Sequence, residues 1–160
     1  MAKTIQEWFD KYGASHQNKT NKIIHFICVP LIFISLVGLL WQVNLTPKQL
    51  SGHSLFPYFN LGELLVSGGL IFYLRLSIPI FIGMLVFSTF TFFVLFIITK
   101  FIPYPLWIIS LVIFVIAWIG QFYGHKIEGK KPSFLHDLQF LLIGPAWILG
   151  FIYRKLGIGF

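Results

Sequence analysis

Residues 23–43 read IIHFICVPLIFISLVGLLWQV, an almost unbroken apolar run of 21 residues with one histidine, His25, near its start. A bilayer's hydrocarbon core takes about 20 apolar residues of helix to cross, so this run is long enough for one crossing. Downstream, residues 44–60 are polar and carry Pro47, Gly52 and Pro57. A short second stretch, Leu61–Leu74, contains Glu63 and Gly68–Gly69, and Arg75, Ser77 and Pro79 separate it from a third, Ile80–Phe101. Pro103 and Pro105 turn the chain into a fourth stretch, Leu106–Tyr123. The last, Leu138–Tyr153, is interrupted by Gly144–Pro145 and reads as a re-entrant or tilted helix.

Upstream, residues 3–13 (KTIQEWFDKYG) place Ile5, Trp8, Phe9 and Tyr12 at three- and four-residue spacing. That is the pattern of a short amphipathic helix lying at a membrane interface and stopped by Gly13. In the polar run that follows, Thr20 or Asn21 is placed to cap the next helix. The expected fold is an all-α integral membrane protein. It has four transmembrane helices, a broken or re-entrant C-terminal helix and an N-terminal interfacial helix, in a single membrane-embedded domain over 1–160.

Composition agrees. Charged residues make up 11% of the chain and its mean hydropathy is +0.83, whereas soluble domains carry about 25% charge. The polar first 22 residues do not read as a cleavable leader, and Cys28, the only cysteine, forms no intrachain disulfide. The net charge of +7 comes from basic residues at span ends, which points to membrane orientation and not to nucleic acid. Lys3, Lys11, Lys19, Lys22, Arg75, Lys126, Lys130 and Lys131 fall on one side of the expected topology, and Lys48 and Lys100 on the other. The richer side is expected to be cytoplasmic, in the inner membrane of a bacterium or the endoplasmic reticulum of a eukaryote.

Four histidines lie at the edges of the spans, and four crossings between them put His16 and His25 on the same side as His125 and His136. His53 is left on the other side and is not expected to be a ligand. Imidazole is the commonest metal-ligating side chain. Nine residues apart on one helix, His16 and His25 would face opposite ways, so sharing an ion requires a break, which QNKTN supplies. His125 and His136 would stand about 16 Å apart on a continuous helix, and Gly129 and Pro132 are placed to break it. The expected metal ligands are therefore His16, His25, His125 and His136, although interfacial histidines also contact headgroups and backbone. Glu128, three residues after His125, is the candidate catalytic carboxylate, as a partner of a ligand histidine or a ligand itself; otherwise it pairs with Lys130 or Lys131. Asp137 can cap the last helix, and Glu63 reads as a helix-start residue.

The runs HQNKTNKIIHFICVPL and QFYGHKIEGKKPSFLHDLQFLLIGPAW resemble the DUF962, or Mpo1-like, family of 2-hydroxy fatty acid dioxygenases. The matching positions are His16, Asn18, His25 and Pro30, then Gly124, His125, Glu128, Pro132 and Pro145. The middle spans match in hydrophobicity alone. The chain departs from the fungal pattern in a His125–Glu128 gap one residue shorter, and in a histidine at 136 where a carboxylate stands. The HxxHH boxes of membrane di-iron desaturases are absent.

The resemblance implies an Fe2+- and O2-dependent enzyme of fatty acid α-oxidation that cleaves C1–C2 of a 2-hydroxy fatty acid and shortens it by one carbon. It also implies a carboxylate for Lys22, Lys130 or Lys131 to bind, although the same lysines serve as orientation charges. Two other classes use parts of the same pattern. A bis-histidine haem protein would use the span-edge histidines. A transporter or scaffold would rely instead on Glu63 and the glycines within the spans.

Overall fold

The computed structural model of the chain describes residues 4–45, 59–129 and 140–160. Among these residues the fold is helical, and each helix start has a local cause. Helix α1 (Ile5–Gly13) opens on Thr4, whose hydroxyl accepts from Glu7 N while the Glu7 carboxylate accepts from Thr4 N at 2.7 Å. Helix α2 (Lys19–Leu40) is capped by Asn18, whose Oδ1 accepts from Thr20 N at 2.8 Å and Asn21 N at 3.3 Å. The cap is thus Asn18 and not the expected Thr20 or Asn21. Asn18 is the last extended residue before the helix, and its short side chain folds over the unpaired N–H groups of the first turn.

Helix α3 (Leu61–Leu76) starts with a reciprocal cap between Asn60 and Glu63, which gives Glu63 its helix-start role. Ser77 ends α3 and caps α4 (Ile78–Phe101), with Pro79 in the first turn where no N–H is needed. Helix α5 (Leu106–Ile127) follows Pro105. It runs one turn past Tyr123, so His125 stands on its last turn. It stops at Gly129, whose φ of 70° suits glycine. Helix α6 (Ile143–Lys155) begins just before Gly144–Pro145. The pair therefore lies in the first turn and does not interrupt the helix, because a proline there forfeits no hydrogen bond. Gly157, at φ 71°, closes α6: Ile158 N bonds back to Tyr153 O and Gly157 N to Arg154 O.

Helices α2, α4 and α5 are long and apolar enough to cross a membrane. The 16 residues of α3 extend only about 24 Å, short of a full hydrocarbon core. Among the described residues there are therefore three helices of spanning length where the sequence suggests four. The far ends of α2 and α3 meet in an isolated bridge between Asn44 and Asn60, with Leu45 N to Phe59 O at 2.8 Å and Leu61 N to Val43 O at 2.9 Å.

Helix α2 packs most extensively on α5. A Cβ on Gly120 would fall 2.6 Å from Cys28 Sγ, and one on Gly124 would run into Asn21 Oδ1. Glycine at these two positions lets the backbones approach closely, as small residues do at membrane helix interfaces. The start of α2 is thereby drawn onto the end of α5. Helix α1 buries Ile5, Phe9 and Tyr12 in a cluster with Ile143, Ala146 and Trp147 of α6. The apolar stripe expected to face lipid is covered by protein, because α6 offers it a matching apolar face. Tyr73 and Tyr153 fix α6 in place, donating to Leu142 O and Pro79 O.

Candidate metal centre

Three of the expected ligands come together. After α1 the chain turns, with His16 N bonded to Gly13 O at 2.9 Å, and this turn swings the imidazole of His16 back under the helix. Its Nδ1 lies 2.7 Å from Tyr12 O. A carbonyl only accepts, so Nδ1 carries the proton and Nε2 is left with its lone pair. The ring is clamped by stacking on Tyr12, at 4.3 Å and 16° between planes. His25 enters from the second turn of α2 and His125 from the last turn of α5. Ring centroids stand 4.1 Å apart for His16–His25, 5.1 Å for His25–His125 and 5.5 Å for His16–His125.

All three histidines are buried, and one nitrogen from each lies within 4.8 Å of the others. The cluster can hold a metal ion. His16 Nε2 and His25 Nδ1 are 3.1 Å apart; two nitrogens bonded at about 2.1 Å to one ion at right angles would stand about 3.0 Å apart. His25 Nε2 is buried and makes no hydrogen bond among the described residues; an ion on Nδ1 would leave it as the ring's N–H donor. The donor set of neutral imidazoles suits iron, zinc, copper or nickel.

Glu128 sits at the C-terminal end of α5 but points at the N-terminal end of α2. Its carboxylate accepts from Gln17 N at 2.7 Å, Asn18 N at 2.9 Å and Asn21 Nδ2 at 2.9 Å. Burial alone would raise its carboxyl, but the hydrogen bonds from Asn21, Gln17 and Asn18, with a smaller contribution from His16, hold it below the ordinary carboxylate value. The described hydrogen bonds of Glu128 thus fix the chain between the first two histidines and do not reach an imidazole. Its carboxylate also satisfies N–H groups at the start of α2, where the helix dipole favours negative charge.

Two openings flank the histidines. On the His16 side an open polar mouth is lined by Lys22, Arg154, Gln17 and Trp147 among others, so Lys22 is placed beside the cluster. On the His25 side lies a narrow cleft whose walls are mostly apolar, with Val29 and Ile32 of α2, Trp118 and Gln121 of α5, and Leu141. His136, Lys130, Lys131, Pro132, Asp137 and His53 lie outside the described residues.

The sequence reading passed over three residues at this site. Tyr12 stacks on His16 and brings its hydroxyl to 3.4 Å from His25 Nδ1, yet in the sequence it is one more aromatic on an apolar stripe. Asn21 is fully buried and ties α2 to Glu128. A polar residue one turn before His25 at a span edge was the available signal. Trp147, 5.4 Å from the His16 ring centroid, had none.

No curated protein and no solved structure matches the chain. A family model does, over residues 2–156, and its description is 2-hydroxy-palmitic acid dioxygenase Mpo1-like. With the buried histidines brought together from both ends of that match, the chain belongs to the Mpo1-like family.

Proposed function

We propose that the protein is an Fe2+- and O2-dependent dioxygenase that cleaves the C1–C2 bond of a 2-hydroxy fatty acid. The reaction balances as R–CH(OH)–COOH plus O2 giving R–COOH, CO2 and water, with O2 as the four-electron oxidant. The observation that carries this reading is the buried cluster of His16, His25 and His125 in a chain of this family. Iron, when bound, would supply Lewis acidity and an open-shell centre that lets O2 react with a closed-shell acid, while the four electrons come from the acid itself. The protein's own contribution is to hold and orient. Tyr12 O sets the tautomer of His16, and Glu128 holds the turn that presents it. Lys22 stands at the polar mouth, where it can pair with a fatty acid carboxylate as the acid approaches the site. His136 as a fourth ligand, and Lys130 and Lys131 as further carboxylate contacts, complete the assignment.

We read α3 as a fourth, shortened pass through the membrane. Only an even number of passes between His25 and His125 returns the chain to one site. The basic residues at that end, Lys11, Lys19, Lys22, Arg75 and Lys126, support a cytoplasmic face for it. A haem held between two of these histidines would separate their nitrogens by about 4 Å, two bonds of about 2 Å each. The 3.1 Å between His16 Nε2 and His25 Nδ1 favours a single bare ion.

The test is metal analysis and O2 uptake on anaerobically purified protein. Bound iron and O2 consumption that depends on 2-hydroxyhexadecanoate, with the acid one carbon shorter as product, are expected. Iron-loaded protein that leaves this acid unchanged would reject the assignment, and a Soret band would replace it with haem.

A further inference from the structure

One polar side chain on the cleft wall has no role so far. Gln121 lies on α5 one turn before His125 and is 6% exposed. It lines the cleft together with His25 and Tyr12, while Val29, Ile32 and Leu141 make the walls around it apolar. Its carboxamide makes no hydrogen bond among the described residues. Its polar atoms are not sealed inside the protein but reach the cleft, where Val29, Ile32 and Leu141 offer them no partner. Any apolar residue of similar size would fill the place at lower cost. A glutamine there, opening onto the cleft, marks a position where a polar ligand supplies the missing partners.

We propose that Gln121 is the specificity-determining contact for the substrate's head group, recognising the 2-hydroxy acid and discriminating against the plain fatty acid. This rests on the dioxygenase reading above and identifies how that site selects its substrate. A carboxamide has both faces the ligand needs: its N–H donates to a carboxylate oxygen, and its C=O accepts from the 2-hydroxyl. A carboxylate alone would leave the carbonyl face unsatisfied. A site built to bond a hydroxyl rejects the analogue without it, because the buried partner is then left unpaired. Val29 and Ile32 lie one and two turns deeper along α2 than His25, which directs the acyl chain from the head group toward the bilayer.

The experiment is anaerobic titration of the iron-loaded protein in lipid nanodiscs with 2-hydroxyhexadecanoate and with hexadecanoate. Bound iron is measured on each variant. The native protein is expected to bind the hydroxy acid at least about tenfold more tightly. In Gln121→Leu the two acids should bind alike, with iron content unchanged, because Gln121 is no ligand. A variant that keeps the native preference overturns the inference while leaving the dioxygenase reading intact. If Gln121→Leu does not fold, Gln121→Glu keeps the shape but loses the donor and opposes the carboxylate. Both acids should then bind about tenfold or more weakly, and native affinity for them overturns the inference. Native protein that binds neither acid overturns the substrate reading and this inference together.

Discussion

At the scale of single residues, the site separates side chains that can hold the ion from those that hold its holders. His25 and His125 each offer a nitrogen to the cluster, so alanine at either should abolish bound iron and turnover together while the helices persist. Metal analysis beside circular dichroism checks this, and an iron-loaded, active His25→Ala would reject the metal centre. Glu128→Gln should act differently. It weakens the acceptor for three N–H groups without emptying the cluster, and metal affinity should fall roughly 10–100-fold. Glu128 also carries a pH signature. Its carboxyl is held below the ordinary 4.5 in the folded protein, so as pH falls the unfolded chain takes up this proton first. The stabilisation is full above about pH 4.5 and is lost as pH falls through the lowered folded value. Melting temperatures at pH 7 and pH 4 should therefore converge between native and Glu128→Gln protein as pH drops. His16, His25 and His125 were legible in the sequence because ionisable residues are scarce in so apolar a chain; Glu128 stood out for the same reason, but its partners on the α2 side did not. Tyr12 and Gln121 were not, because an aromatic on a stripe and an amide in a helix acquire their meaning only from what packs across from them.

At the scale of elements, the approach of α2 to α5 decides whether His25 meets His125. Gly124 faces Asn21 Oδ1 with no room for a methyl group, while Gly68, on the exposed side of α3, has nothing within 4 Å. Gly124→Ala should force the helices apart, costing about 1–3 kcal/mol and loosening metal binding at the same time. Gly68→Ala should be neutral or stabilise by up to about 1 kcal/mol, since it reduces backbone freedom without a clash. Thermal denaturation of the two variants, with iron content measured on each, separates the predictions; equal effects would show that the seam does not set the site. Helix limits followed from local chemistry at Gly129 and at the Asn60–Glu63 cap, and there the sequence was readable. Pro145 misled because a proline in an apolar run reads equally as an interruption or as a first-turn residue. Only the start of α6 at Ile143 distinguishes them.

At the scale of the whole molecule, the path of the chain follows from which ends meet. Helix α2 leads away from the histidines, the Asn44–Asn60 bridge joins its far end to α3, Ser77 passes α3 directly into α4, and α5 returns to His125. Helix α6, 13 residues long, extends only about 20 Å, too short to cross. It packs on α1, with the Phe9 and Phe160 rings 5.6 Å apart. Residues near both ends of the chain are therefore held at the same end of the helix bundle as the histidine cluster, while the α4–α5 turn at Pro103 lies at the opposite end. Single cysteines at Gln6, Pro103 and Gly159, in a Cys28→Ala background, test this in sealed vesicles of known orientation. An impermeant maleimide should label Gln6→Cys and Gly159→Cys from one side, the cytoplasmic one by the distribution of basic residues, and Pro103→Cys from the opposite side. Labelling of Gln6→Cys and Gly159→Cys from opposite sides would mean that α6 crosses the membrane. It would then have to leave α1, and the aromatic floor that clamps His16 between Tyr12 and Trp147 would come apart with it.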